Sequence, residues 1–168
     1  MKLSWIGLLV WLGGVAGAWA QAGAVAGGPI QITDTEAVGL VKTINEHVQG
    51  SLNRGHLELF DRKKGAIVNL RLDRIVTDDP ARVMFPQAGR VAICGECTQV
   101  ELTKDEAGAV QEKELTDKYE VWFVLRRGGA GSSRVLDTFV KSVNGNPMYQ
   151  WSKDEDNNWS ATLVPDPE

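Results

Sequence analysis

Cys94 and Cys97, which enclose Gly95 and Glu96 in a CxxC, are the residues whose type and spacing carry the most chemistry. A redox pair of this kind needs one thiolate stabilised by a helix N-terminus or by cations, and a second thiol placed to resolve the mixed disulfide. The flanks read as strand instead, residues 91–93 before the pair and 98–102 after it. No helix dipole is then aimed at either sulfur, and Glu96 between them disfavours the thiolate. Cys94 and Cys97 are therefore expected to be a structural redox or disulfide pair without catalytic turnover. The apolar residues change parity along this strand, from Val91 and Ile93 to Val100 and Leu102. A β-bulge near Gly95 would repair that and place both thiols on one face, within reach of a strained bridge.

The remaining chemical candidates are weaker. A zinc site needs four ligands, and beyond the CxxC the chain offers only His47 and His56, in segments that read as a helix end and a strand start. Haem attachment would need His directly after Cys97, where Thr98 stands. Asp154, Asp156 and Asn158 have the opening spacing of a calcium loop, but Trp159 and Pro165 occupy the positions of its glycine and its bidentate glutamate. No Ser-His-Asp or Cys-His set stands out, and no cofactor is expected. Trp122, Tyr149 and Trp151 are the candidate ligand-facing aromatics, able to line a concave apolar surface or to fill a core. These observations point to a non-enzymatic binding or accessory module for a peptide, a protein or a small apolar ligand. A thiol–disulfide protein of the cell envelope is the alternative.

The elements that must position these residues are legible in outline. Residues 1–20 have the order of a secretory signal: Lys2, an apolar stretch, then Ala18-Trp19-Ala20 as the cleavage site. That stretch is too short and too broken by glycine to span a membrane, so no span is expected after cleavage. Residues 21–29, mostly Ala and Gly, read as a flexible leader, residues 30–163 as a single domain, and residues 164–168 as a frayed tail. The chain carries 18 Lys and Arg against 22 Asp and Glu, and its basic residues are scattered. Nucleic acid and an anionic membrane surface, which both need clustered positive charge, are therefore not expected as main partners.

Thr33-Asp34-Thr35-Glu36 has the spacing of a capping box, in which Glu36 reaches back to the cap. The helix it opens carries Val38, Leu40, Val41, Ile44 and Val48 as its apolar stripe. From residue 56 onward the period is two. Strands are expected over residues 56–60, 66–76, 90–102, 119–125, 134–143 and 148–152, with 104–116 a polar connection and Asn144-Gly145 a hairpin turn. The core should join Val41, Ile44 and Val48 to Leu70, Leu72, Val121 and Phe123.

One helix followed by antiparallel strands predicts an α+β domain, with an N-terminal helix packed on a curved sheet of five to six strands. That arrangement is similar to cystatin-like folds. The run Lys141-Ser142-Val143-Asn144-Gly145-Asn146-Pro147-Met148-Tyr149-Gln150-Trp151 resembles the C-terminal hairpin of an uncharacterised family of exported bacterial proteins. In that family a Lys-Val-x-Gly-x-Pro-x-Tyr-x-Trp run follows an aromatic central strand, as residues 119–125 do here. The resemblance covers residues 90–159, implies a periplasmic or secreted bacterial protein, and assigns no chemistry.

Overall fold

A computed structural model describes residues 32–51, 55–128, 132–153, 155 and 159–165. The signal segment 1–20, the leader 21–29, the Asp154, Asp156 and Asn158 spacing and the tail from residue 166 lie outside the described residues.

Helix α1 spans Asp34–Gln49, and the Thr33 hydroxyl caps it by accepting from the Glu36 amide at 3.3 Å. The Glu36 carboxylate does not return to the cap as the capping box predicts. It accepts two hydrogen bonds from the Arg127 guanidinium, at 2.6 and 2.9 Å, and so ties the first helical turn to a strand end. Leu40, Ile44 and Val48 form the buried stripe, one every four residues on one face. Val38 lies off that line and is 71% exposed, while Val41 is half-buried.

The strands are β1 (His56–Asp61), β2 (Ala66–Val76), β3 (Val83–Met84), β4 (Arg90–Lys104), β5 (Val110–Arg126), β6 (Arg134–Val143), β7 (Asn146–Pro147), β8 (Tyr149–Lys153) and β9 (Trp159–Leu163). Seven of them form one antiparallel sheet in the order β1-β2-β4-β5-β6-β7, with β3 taking over the edge of β4 where β2 leaves it. Strands β8 and β9 pair separately. The sheet curls until β1 meets β6, and α1 lies against both.

The expected cystatin-like sheet of five to six strands is thus corrected to a seven-stranded sheet plus a two-stranded one. Two local features account for the difference. Residues 104–116 are mostly strand rather than connection, because β4 runs to Lys104 and β5 begins at Val110. Their turn is held by Asp105, whose carboxylate accepts from the amides of Ala107 and Ala109. None of the residues 101–116 is buried, so this arm needs no apolar alternation, and cross-strand ion pairs such as Lys113 with Glu101 stand in for it. The expected sixth strand also leaves the sheet. Asn144 and Gly145, at φ of 50° and 79°, make the hairpin turn, but β7 has only two residues. The chain then plugs Met148 into the core and pairs β8 with β9, whose short run of small and polar residues between Trp159 and Leu163 does not announce a strand.

The sheet has two unlike faces. Odd-numbered Val91, Ile93 and Cys97 of β4 and Tyr119, Val121, Phe123 and Leu125 of β5 join the α1 stripe in one core with Leu70 and Val140. Leu72, expected at the centre, is only partly buried. Even-numbered Ala92 and Cys94 of β4 and Trp122 and Val124 of β5 form a second, smaller cluster on the outer face. Among the described residues no helix is long and apolar enough to cross a membrane.

Candidate functional site

The cysteine strand departs from expectation. β4 and β5 keep one register from Arg90 opposite Arg126 to Thr98 opposite Lys118, so β4 has no bulge at Gly95 against β5. The extra residue lies on the partner strand, at Asp73, where the β2–β4 register shifts between Leu72 and Arg74. Gly95 meets a different demand. A Cβ there would lie 2.7 Å from Phe123 Cε2 and 2.9 Å from Leu72 Cδ1, so the aromatic ring occupies the space a side chain would need. Val100 and Leu102 do not join the helix-side core, which along this strand ends at Cys97.

Alternation therefore sends the two thiols apart. Cys97 belongs to the helix-side core, Cys94 packs with Ala92 and Trp122 on the outer face, and both are buried and unbridged. Three regular strand steps separate their Cα atoms by about 10 Å, beyond the reach of a disulfide. Burial, above all, pushes the Cys94 thiol up to about 11 against the opposing charge of Lys141. Burial and then Asp73 push Cys97 up as well. Neither sulfur is a thiolate at neutral pH.

Two bulges build a polar groove on the outer face. The shift in β2 delivers Asp73, and a second shift between Glu120 and Val121 leaves Lys141 as the extra residue of β6. Bulges of this sort re-aim side chains while the rest of the ladder holds. The Thr98 hydroxyl donates to the Asp73 carboxylate and accepts from the Lys118 ammonium at 2.6 Å. Glu120 accepts from the Ser142 hydroxyl at 2.7 Å and pairs with Lys141 at 3.0 Å. Arg82, from a single 3-10 turn over Pro80–Arg82, reaches across to Glu96 and, at 3.1 Å, to Glu120. Asp73, Arg82, Glu96, Lys118 and Glu120 line a groove of about 610 Å³.

Burial raises the Glu120 carboxyl, but the hydrogen bonds from Ser142 and Lys141 and the charges of Lys141 and Arg82 outweigh it and hold the group below the ordinary carboxylate value. The groove therefore presents fixed charges of both signs. Among the described residues no three His, Cys, Asp or Glu side chains converge to hold a metal ion.

Trp122, Tyr149 and Trp151 come together through Phe139 rather than on one open surface. Trp122 is buried, and Trp151 of β8 meets it edge-on at 5.8 Å between ring centroids. Phe139 lies 6.2 Å from Trp151 and 5.0 Å from Tyr149, which packs against the helix-side core. The rings fill a second small core, and Lys141 sits over the face of Trp122 at 5.3 Å. The Trp151 indole N–H is buried without a hydrogen-bond partner among the described residues.

No family model, curated protein or solved structure matches the chain. The site thus rests on its own geometry.

The groove residues carry no local sequence signal. Asp73 and Thr98 meet across 25 positions of chain, through a bulge that neither strand advertises. His47 is exposed on the polar side of α1, whereas the His56 ring nitrogen lies 2.8 Å from the Glu112 carboxylate.

Proposed function

We propose that this is an exported binding or accessory module that holds an extended peptide on the outer face of its sheet. The observation that carries the reading is the convergence of Asp73 from the β2 bulge, Arg82 from the 3-10 turn, Glu96 of β4 and Lys118 and Glu120 of β5 on one groove, with Lys141 of the β6 bulge pairing to Glu120 behind it. Fixed carboxylates and cations around a groove suit the alternating donors and acceptors of a peptide better than an apolar small molecule. Export is supported by the signal-like order of residues 1–20. The thiol alternative is disfavoured by burial of both sulfurs on opposite faces.

Titration of the ¹⁵N-labelled mature chain with a random decapeptide mixture tests this reading. Amide shifts should concentrate at Glu96, Lys118 and Glu120 and vanish in Arg82→Ala, which removes a cation lining the groove. Shifts confined to α1, or none at all, would remove the groove as a binding site. Sustained insulin reduction lost in Cys94→Ser would establish the thiol alternative in its place. Intact mass of the protein recovered from the cell envelope should show a start at Gln21 or Gly23.

A further inference from the structure

Further along the outer face, three arginines stand in a row. Arg90 of β4 is directly opposite Arg126 of β5, and Arg126 is directly opposite Arg134 of β6. Opposed residues of antiparallel strands project to the same face, and like charges placed there repel. At the usual strand spacing the two outer Cα atoms of such a row are about 10 Å apart. All three side chains are exposed.

Among the described residues the row stands apart from the other arginines. Arg71, Arg74, Arg82 and Arg127 each hold a carboxylate, and Arg62 lies over the Tyr149 ring. Among the described residues Arg90, Arg126 and Arg134 make no ion pair, although the chain has a carboxylate surplus and a net charge of −4. Asp137, two rungs along and opposite Val124, accepts from the Thr138 amide at 2.8 Å.

The three arginines also share a concavity. They line a pocket of about 500 Å³ whose walls include Gln87, Gly89 and Leu136. The loop wall is fixed where Gly89, at φ of 73°, accepts from the Arg127 amide at 2.7 Å. Leu136 reaches the pocket as the extra residue of a bulge in β6, marked by the register shift opposite Val124 and Leu125.

We infer that this row is a binding site for a ligand bearing two or more adjacent oxyanion groups, phosphate or sulfate. Guanidinium forks match such groups bidentately and keep their charge at every accessible pH. One carboxylate occupies a single fork, whereas neighbouring phosphates or sulfates offer oxygens along the whole row. The site is independent of the peptide groove, since Arg90 lies six residues from Glu96 along β4, about 20 Å at the rise of a strand.

Inorganic pyrophosphate is the probe, in thermal melts and calorimetry of the full chain against chloride of equal ionic strength. Pyrophosphate should raise the melting temperature saturably beyond chloride. Arg126→Gln should weaken its affinity about tenfold or more, as expected for losing a charge-assisted contact. The same variant should melt higher than the wild type without ligand, because a repulsive neighbour is gone. Lys63→Gln, an exposed cation away from the row, should leave the affinity unchanged. Cosedimentation with phosphatidylcholine vesicles containing phosphatidic acid separates the sources. Sedimentation abolished by Arg126→Gln assigns a lipid headgroup, and pyrophosphate binding without sedimentation assigns a soluble ligand. Neither pyrophosphate nor vesicle binding, or an affinity untouched by Arg126→Gln, overturns the site.

Discussion

On the helix side of β4 and β5, Val91, Ile93, Phe123 and Leu125 are wholly buried and packed with α1. On the other side of the same two strands, Glu96, Thr98, Lys118 and Glu120 are held by partners reaching in from Arg82, Asp73, Lys141 and Ser142. The inner face gains its stability mainly from apolar area removed from water, where these side chains carry no charge to titrate or to screen. The outer face gains specificity from groups that solvent and ions can compete for. The contrast separates what keeps this chain folded from what it offers a ligand, and substitutions on each face should differ in size and in their response to pH.

Phe123→Ala is the largest test of the inner face. The ring is fully buried at the centre of the main core, and its removal should cost about 3–5 kcal/mol in a urea melt. A loss no larger than that of an outer-face variant would mean that the two faces do not differ as described. Gly95→Ala sharpens the same point from the opposite direction. The added methyl must displace the Phe123 ring or the Leu72 methyl, so overpacking should cost about 1–3 kcal/mol. The double variant Gly95→Ala with Phe123→Leu should recover part of that loss, because a smaller partner frees the space. No recovery would mean that Gly95 is required for some reason other than the ring.

The inner face was legible because burial imposes a period. Ile44 and Val48 stand four apart, and Val121, Phe123 and Leu125 alternate, so helix and central strand can be read directly from the residues. Gly95 shows where such reading fails. A glycine between residues of opposite parity resembles a bulge, yet its true constraint comes from a phenylalanine on the next strand. The outer face is harder still. Arg90, Arg126 and Arg134 are an unremarkable scatter along the chain and become a row only once the register of three strands is known. The arm over residues 104–116 is hidden in the sequence for a related reason: a strand solvated on both faces has no apolar period to display.

Arg82→Gln probes the outer face, with the smallest expected effect. Arg82 and its partners Glu96 and Glu120 have side chains 29%, 40% and 23% exposed, so solvent screens the pairs. The loss at neutral pH should be no more than about 1 kcal/mol. The sign of its pH dependence follows from Glu120, whose carboxyl in the folded protein lies below the ordinary value of 4.5. A carboxyl depressed on folding adds stability above its unfolded-state value, and that stability is lost as pH falls through the folded-state value. The wild type should therefore lose stability as acid takes Glu120 from charged to neutral. Arg82→Gln, lacking one of the charges that depress the carboxyl, should lose less over the same interval. Urea melts at about pH 7 and about pH 3 should then show the difference between variant and wild type shrinking in acid. A difference that persists unchanged at low pH would show that Arg82 acts by packing its stem rather than by charge, and the division between the two faces would fail at this residue.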